Sequence, residues 1–448
     1  MVTQPPLDRE AELDALEDRV REALQRAEKA GAGAAEAQAQ LSRGLSVNVR
    51  MGEVETLEHM QDRGISVTVL IGRRKGQASS ADLRPETIAA CVDRALDIAR
   101  YTEEDPCNGL ADPDRLAVGA PDLDLWHPSP VDAEAAIERA LACEAAGRAE
   151  PRISNSEGAA FNAGLGLSVY GNSNGFVGRS SGTNYSQSCV LLAGRGDGMQ
   201  RDYSYDSRRC LADLEPVEVT GAEAARRTVG RLGARPLPTR AVPVLFAPRV
   251  ATGLISHLLR AISGSTLIRN ASFLKDRAGE QILPDWFRVA ERPHLLRGVS
   301  SSHFDNEGVA TAERDVIDAG VLTGYVLSTY TARRLGLQTT GNAGGARNLL
   351  VSPGGEGEGD LLASVNDGFY VTEVMGQGVN LVTGDYSRGA SGYRIVDGRL
   401  DHPVEEVTVA GNLADMFSDI AGAGEDVDTR GNIHCGGLLI RRMMVAGL

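Results

Sequence analysis

Apolar residues recur at three- and four-residue steps over Leu7 to Ala30, where Leu13, Leu16, Val20, Leu24 and Ala27 form one stripe. That spacing predicts an amphipathic helix. The period then changes to two. Val47, Val49 and Met51 alternate before Gly52-Glu53, and Ile65, Val67, Val69 and Ile71 alternate between Gly64 and Gly72, which predicts strands. Pro85 suits the first turn of a second helix that places Ile88, Cys91, Val92, Ala95 and Leu96 inward. Thr102 to Trp126 reads as a long loop, and a third helix runs from about Val131 to Ala146. From Arg152 to about Tyr205, short alternating segments broken by Gly, Asn and Ser predict an antiparallel meander. A helix over Val217 to Leu232 closes this half.

Gly233-Ala-Arg-Pro-Leu-Pro238 is the expected linker, since two prolines interrupt regular pairing. After it come an apolar strand, Val242 to Ala247, and a helix from Val250 to about Ser263. Helical patterning then thins to short pieces near 330–335 and 412–420, and Gly, Thr and Val segments dominate. The expected fold class is α+β in two domains. Residues 1–232 form α/β layers with antiparallel strands, and residues 239–448 form a β-rich C-terminal domain.

Composition narrows the function. Lys and Arg total 46 against 61 Asp and Glu, a net charge of −15, so direct nucleic-acid binding is not expected. The 52 glycines follow no collagen-like period and mark turns instead. An acidic, periodic N-terminus and the lack of any apolar run of about 18 residues predict neither a signal peptide nor a membrane span. The six cysteines form no C-x-x-C pair, which points to reduced thiols and a cytoplasmic protein. Cys91 and Cys143 are expected to be buried on helix faces.

Candidate chemistry is sparse. A zinc peptidase helix carries two histidines one turn apart beside a glutamate. Here no two of the seven histidines lie within five residues, and His257 stands alone on its helix, expected to be satisfied by a hydrogen bond. Two G-x-S-x-G matches, Gly171–Gly175 and Gly178–Gly182, fall in the meander rather than between a strand and a helix, so neither is expected to be a nucleophile elbow. Gly354-Gly-Glu-Gly-Glu-Gly-Asp360 carries three carboxylates and no lysine, and reads as a flexible surface loop. Asp305 and Glu307 are closely spaced acids at a predicted turn, suited either to acid–base chemistry or to Asx-type hydrogen bonding.

Several segments in order are distinctive. They are Ser302-His-Phe-Asp-Asn-Glu-Gly-Val-Ala-Thr311, Asp318 to Ala332, Thr340-Gly-Asn-Ala-Gly-Gly345, Gly378-Val-Asn-Leu-Val-Thr-Gly-Asp-Tyr-Ser387, Gly392 to Gly398 and Pro403 to Leu413. This set resembles the TldD/TldE family of cytosolic peptidases, on the TldE (PmbA) side. The resemblance implies a two-domain subunit that pairs with a TldD-like paralogue around a proteolytic chamber. In the TldD-type subunit a His-Glu-x-x-x-His helix and a later cysteine hold zinc. The corresponding helix here, Leu254 to Gly264, places Ile255 and Arg260 at the histidine positions and Ser256 at the glutamate. Cys435 lies too near the C-terminal stretch to match the zinc cysteine.

The resemblance therefore implies no catalytic or metal residue on this chain, zinc on the TldD-like partner, and unfolded or extended peptides as substrates. A β-rich domain can hold an extended peptide by strand addition. Family labels also mention modulation of DNA gyrase, which the acidic charge makes indirect. Asp305, Glu307, Asn342, Asp385 and Ser387, in the glycine-flanked segments, are the candidate substrate contacts. Two alternatives stand beside this reading. One is a stand-alone, homodimeric peptide-binding or regulatory protein; the other is a metal-independent hydrolase using Asp305/Glu307 or Ser387.

Overall fold

A computed structural model describes residues 7–119 and 121–447. The N-terminal half contains helix α1 (Arg9–Lys29), strands β1 (Ala34–Arg50), β2 (Glu53–Ile71) and β3 (Arg74–Ser80), and helices α2 (Pro85–Tyr101) and α3 (Ala133–Arg148). Strands β4 (Ile153–Asn172), β5 (Val177–Ala193) and β6 (Gln200–Arg208) and helix α4 (Val217–Gly230) complete it. The strands form one antiparallel sheet in the order β3-β2-β1-β4-β5-β6.

Local chemistry explains these elements. The Asp8 side chain accepts the Ala11 amide and caps α1, whose buried face carries Leu13, Leu16, Val20, Ala23 and Ala27. Met51 and Gly52, both at positive φ, make the two-residue turn between β1 and β2. The amides of Met51 and Gly52 each donate at 2.8 Å to Glu144 of α3, which is buried because it serves this turn. Cys91 and Cys143 are buried in the helix–sheet packing, as expected.

The meander differs from expectation in scale. Its strands are long, 20 residues in β4 and 17 in β5, and the glycines lie within them as well as at turns. The Gly171–Gly175 match makes the β4–β5 turn, whereas Gly178–Gly182 sits inside β5. At Gly178 a Cβ would lie 2.6 Å from the Phe304 ring, so glycine there admits an aromatic residue of the other half.

Side chains on a strand alternate between faces. Ala35, Ala37, Ala39 and Leu41 at one end of β1 pack with α1 and α2, and Leu45, Val47 and Val49 at the other end pack with α3 and α4. All are odd-numbered, so the four helices cover one face of the sheet. The even-numbered face, with Glu36 on β1 and Thr68 and Leu70 on β2, turns toward the C-terminal half.

That half comprises β7 (Arg240–Phe246), α5 (Pro248–Ala261), α6 (Gly264–Leu267), β8 (Val289–Glu291), β9 (Arg314–Asp318), β10 (Val321–Leu322), α7 (Thr329–Leu335) and β11 (Leu349–Val351). There follow α8 (Glu358–Ala363), β12 (Asp367–Met375), β13 (Asp385–Val396), β14 (Arg399–Asn412), α9 (Leu413–Ser418), β15 (Ile420–Ala423), β16 (Ile433–His434) and β17 (Leu438–Ala446). A larger sheet runs β14-β13-β12-β7-β17-β15, and Thr408–Ala410 of β14 also pair with β17, so five strands close on themselves. A smaller sheet runs β10-β9-β8-β11-β16. The protein is thus of mixed α/β class, with an antiparallel N-terminal sheet and a β-rich C-terminal part whose sheets are antiparallel except for the parallel pairs β7–β12 and β11–β16. No described helix is long and apolar enough to cross a membrane.

The segment expected to be a flexible glycine loop, residues 354–360, runs into α8. Leu361 is buried, and Glu358 accepts the Tyr370 hydroxyl at 2.7 Å. The Leu361 anchor orders a stretch whose composition alone reads as loop.

Among the contacts that join the halves are two polar sets. Arg249 of α5 makes two hydrogen bonds to buried Asp202 of β6, at 2.8 and 2.9 Å, while its guanidinium lies over the Tyr203 ring. Burial opposes ionisation of Asp202, but the Arg249 bonds prevail and hold its carboxyl below the usual range. The second set comes from residues 102–119, a strap over the C-terminal half. Ala117 donates to the Gly308 carbonyl, Ala310 to the Arg115 carbonyl, and Arg333 of α7 to the Leu110 carbonyl.

Candidate functional site

The sequence candidates divide into two regions. Asp305, Glu307 and Asn342 come together where the 303–310 loop meets the 340–345 turn. Asp385 and Ser387 lie on β13, beside α5.

In the loop region Asp305 is only 1% exposed. Its Oδ1 accepts the amides of Glu307 (2.8 Å) and Val309 (3.0 Å), and its Oδ2 accepts that of Ala343 (2.8 Å). Burial raises its pKa to about 6, against the lowering effect of those three donors. The carboxylate thus joins the loop to the turn. Glu307 accepts the Thr329 amide at 2.8 Å, holding the first turn of α7. Buried Asn342 receives Arg314 at 2.9 Å and donates to Glu291 at 2.7 Å, and Glu291 also pairs with Arg314. The Asp305 carboxylate and the Asn342 side chain are thus committed to other parts of the protein, whereas Glu307 keeps one oxygen free among the described residues.

The α5–β13 region is different. Asp385 and Ser387 are exposed. Asp385 accepts the Thr383 hydroxyl at 2.6 Å, and the Ser387 amide donates to the Gly378 carbonyl. Between them Tyr386 is buried, with its ring set edge-on to His257 of α5 at 6.0 Å. His257 departs from expectation. It is 9% exposed, and its Nδ1 is buried without a hydrogen-bond partner among the described residues. Burial, then the charges of Arg388 and Arg260, depress its pKa to about 4. Burial, with two cations nearby, disfavours the protonated imidazole, and its Nδ1 lacks a partner among the described residues, which its helical position alone did not reveal.

Along α5, Ile255 is a fully buried core residue, Ser256 is partly exposed and Arg260 is exposed. Cys435 is buried and free. Among the described residues no three His, Cys, Asp or Glu side chains group as a metal-holding set. The histidines are less dispersed than their numbering implies, since His294 and His303 stack at 5.6 Å; no third ligand joins them.

Sequence reasoning missed a cavity of about 300 Å³ between the sheet, the strap and the loop region. Glu36, Thr68, Lys75, Asn108, Glu307 and Tyr330 supply most of its polar lining. The only advance signal was the polar alternation of Glu36, Gln38 and Gln40 along β1.

A helix-backed sheet strapped to a partly closed, β-rich domain defines a two-part mixed α/β protein, and that architecture has known counterparts. Three domain models of one family match in order: PmbA/TldA metallopeptidase domain 1 over residues 35–99, the central domain over 126–232 and the C-terminal domain over 239–447. The chain is 48% identical over 440 residues to metalloprotease PmbA of Escherichia coli O157:H7, covering 98% of this chain and 97% of that protein. It is 45% identical over 427 residues to a metalloprotease PmbA homologue of Haemophilus influenzae, covering 95% and 94% respectively. The chain belongs to the PmbA/TldA metallopeptidase family.

Solved structures agree. A Bacteroides thetaiotaomicron protein described as a candidate modulator of DNA gyrase superposes with a TM-score of 0.92 at 29% identity, covering 97% of this chain and 99% of its own. TldE from Thermococcus kodakarensis shares the fold with a TM-score of 0.83 at 20% identity, covering 97% and 100%.

Proposed function

We propose that this chain is the PmbA/TldE-like subunit of a cytoplasmic, two-subunit zinc metallopeptidase acting on unfolded or extended peptides. In this reading a TldD-like partner holds the zinc, and this chain completes the chamber and helps to hold the substrate. The observation that carries it is the composition of α5. Where a zinc helix needs His, Glu and His, this helix has a core isoleucine, a serine and an arginine, and its one histidine faces cations. Such surroundings repel a metal cation. The residues present do not fit a catalytic zinc, so no hydrolytic step is assigned to them. Relatives named as metalloproteases support the peptidase assignment of the assembly.

The isolated chain is expected to purify without stoichiometric zinc and to cleave no unfolded peptide. Adding a TldD-type paralogue carrying His-Glu-x-x-x-His should produce chelator-sensitive hydrolysis. Stoichiometric zinc together with cleavage by this chain alone would overturn the proposal.

A stand-alone homodimeric peptide-binding or regulatory role is the second reading, favoured by one feature. Residues 53–63 of β2 are exposed, pair only with β1, and present Val54, Leu57 and Met60. A free strand edge of this kind accepts another strand. Native mass spectrometry with and without the paralogue separates the two, since a homodimer indifferent to it supports the second.

A further inference from the structure

The cavity between the two halves shares Glu307 with the candidate substrate contacts, and it has the character of a binding site whether or not the peptidase reading holds. Pockets at domain interfaces with a few convergent polar groups are the usual places for small ligands. At about 300 Å³ this one is large enough for a short aliphatic chain with a polar head.

Its electrostatics select the head group. Glu36 and Glu307 approach from opposite walls, one on the N-terminal sheet and one on the C-terminal loop. Each spends one oxygen inside the protein. Glu36 accepts the buried Tyr170 hydroxyl at 2.8 Å, and Glu307 accepts the Thr329 amide at 2.8 Å. Neither makes another hydrogen bond or an ion pair among the described residues, so each keeps one carboxylate oxygen uncommitted. Tyr170 cannot ease their charge. Burial, then Glu36, and to a smaller degree Glu307, push its ionisation far above the ordinary range, so the phenol stays protonated as a donor.

Tyr330 likewise spends its proton on Asp105, at 2.8 Å, leaving its oxygen as an acceptor only. Asp105 has Arg334 as a counter-charge at 3.9 Å. The one cation on the cavity wall, Lys75, is exposed and makes no ion pair among the described residues. Arg73 and Arg333 stand behind Gly109 on the strap side, where Arg73 donates to the Asn108 carbonyl and Arg333 to the Leu110 carbonyl and Asp112. Among the described residues no cation lies within ion-pair distance of Glu36 or Glu307, so their uncommitted oxygens are open to a bound positive charge.

We propose that this cavity binds a primary ammonium group on a short aliphatic chain, with Glu36 and Glu307 as its paired acceptors. The group belongs either to a free small amine or to a lysine side chain of a peptide. Because the strap forms part of the wall through Asn108 and Gly109, an occupied cavity also fastens the strap to α7.

The test is calorimetric titration of the full chain with cadaverine, with acetyl-Ala-Lys-Ala-amide, and with 1-pentanol as the uncharged control. At least one cation is expected to bind with a Kd below about 1 mM, and pentanol not at all. Glu36→Gln and Glu307→Gln keep an acceptor for Tyr170 and Thr329 but remove the charge, and each should weaken binding by about tenfold or more. Removing the competing exposed cation with Lys75→Met, a surface change without a folding role, should tighten binding by about threefold.

Hydrogen exchange of residues 105–112 should slow on adding the ligand. Binding of cadaverine alone identifies a free amine, and tighter binding of the tripeptide identifies a peptide side chain. If neither cation binds at about 10 mM, or if all three variants bind as the parent does, the proposal fails.

Discussion

The 303–310 loop and the start of β13 look alike in sequence, each a polar, glycine-flanked stretch, yet they occupy opposite electrostatic settings. Around Asp305 the protein buries a negative charge and surrounds it with three amide donors. Beside β13 it buries a neutral imidazole and surrounds it with Arg388 and Arg260. The first region is satisfied internally and joins chain segments nearly forty residues apart. The second keeps a buried nitrogen without a partner among the described residues. Compensation, rather than residue type, separates a structural carboxylate from an uncompensated site.

The largest expected effect comes from breaking the first region. Asp305→Ala leaves the amides of Glu307, Val309 and Ala343 without their acceptor, partly offset by removing a carboxylate whose burial is itself unfavourable. A loss of about 3 kcal/mol is expected in urea unfolding at pH 7. A variant as stable as the parent would mean that those amides find other partners.

The pH dependence of stability sharpens the comparison, because the two groups act with opposite sign. His257 has a folded pKa of about 4, below its unfolded value, so the native state takes up its proton less readily. Its contribution is complete above about pH 6.5 and is lost as pH falls toward 4, by about 3 kcal/mol. Asp305 has a folded pKa of about 6, above its unfolded value. Its contribution is complete below about pH 4 and is lost as pH rises toward 6, by a similar amount of about 3 kcal/mol. The two slopes oppose each other between about pH 4 and 6. Relative to the parent, His257→Gln should therefore gain stability on acidification over that window, and Asp305→Asn should lose it. Denaturant titrations at half-unit pH steps would show this, and difference curves of the same sign would contradict the assignment.

The smallest effects test the candidates on the rims of the two regions. Glu307→Ala removes the acceptor at the first turn of α7 and should cost about 1 kcal/mol. Ser387→Ala touches no side-chain hydrogen bond and should stay within about 0.5 kcal/mol. Thermal unfolding of the two variants side by side would reverse this ranking if Ser387 has an unseen structural role.

Much of the fold is legible from local pattern. Helices α1 to α5 lie close to where three- and four-residue spacing and Pro85 place them, because helix bonds involve neighbours a few positions away. Strand pairing is less so. The registers Glu36 with Asn172 and Val244 with Phe369 join residues more than a hundred positions apart, and no window of sequence encodes them. For the candidate residues, chemistry was readable but setting was not. Asp305 was marked as either an acid–base group or an Asx-type turn residue, and its hydrogen bonds are those of the turn. His257 was expected to be satisfied and has an unpaired Nδ1. Glu36 drew no attention, since one acid in an alternating strand resembles any solvated face.

What the sequence determined by itself was most of the longer helices, the presence of alternating strands, the acidic balance, and a helix α5 with one histidine and no carboxylate. These depend on residue identity and on short-range spacing, so they survive without knowledge of the fold. Only the tertiary structure decided that the even face of β1 meets α7 across a cavity, that Asp305 titrates near 6, and that His257 stays neutral. Each of those depends on how much water is excluded and which charges are brought near by distant segments, and desolvation and Coulomb energy are set by the packed neighbourhood rather than by position along the chain.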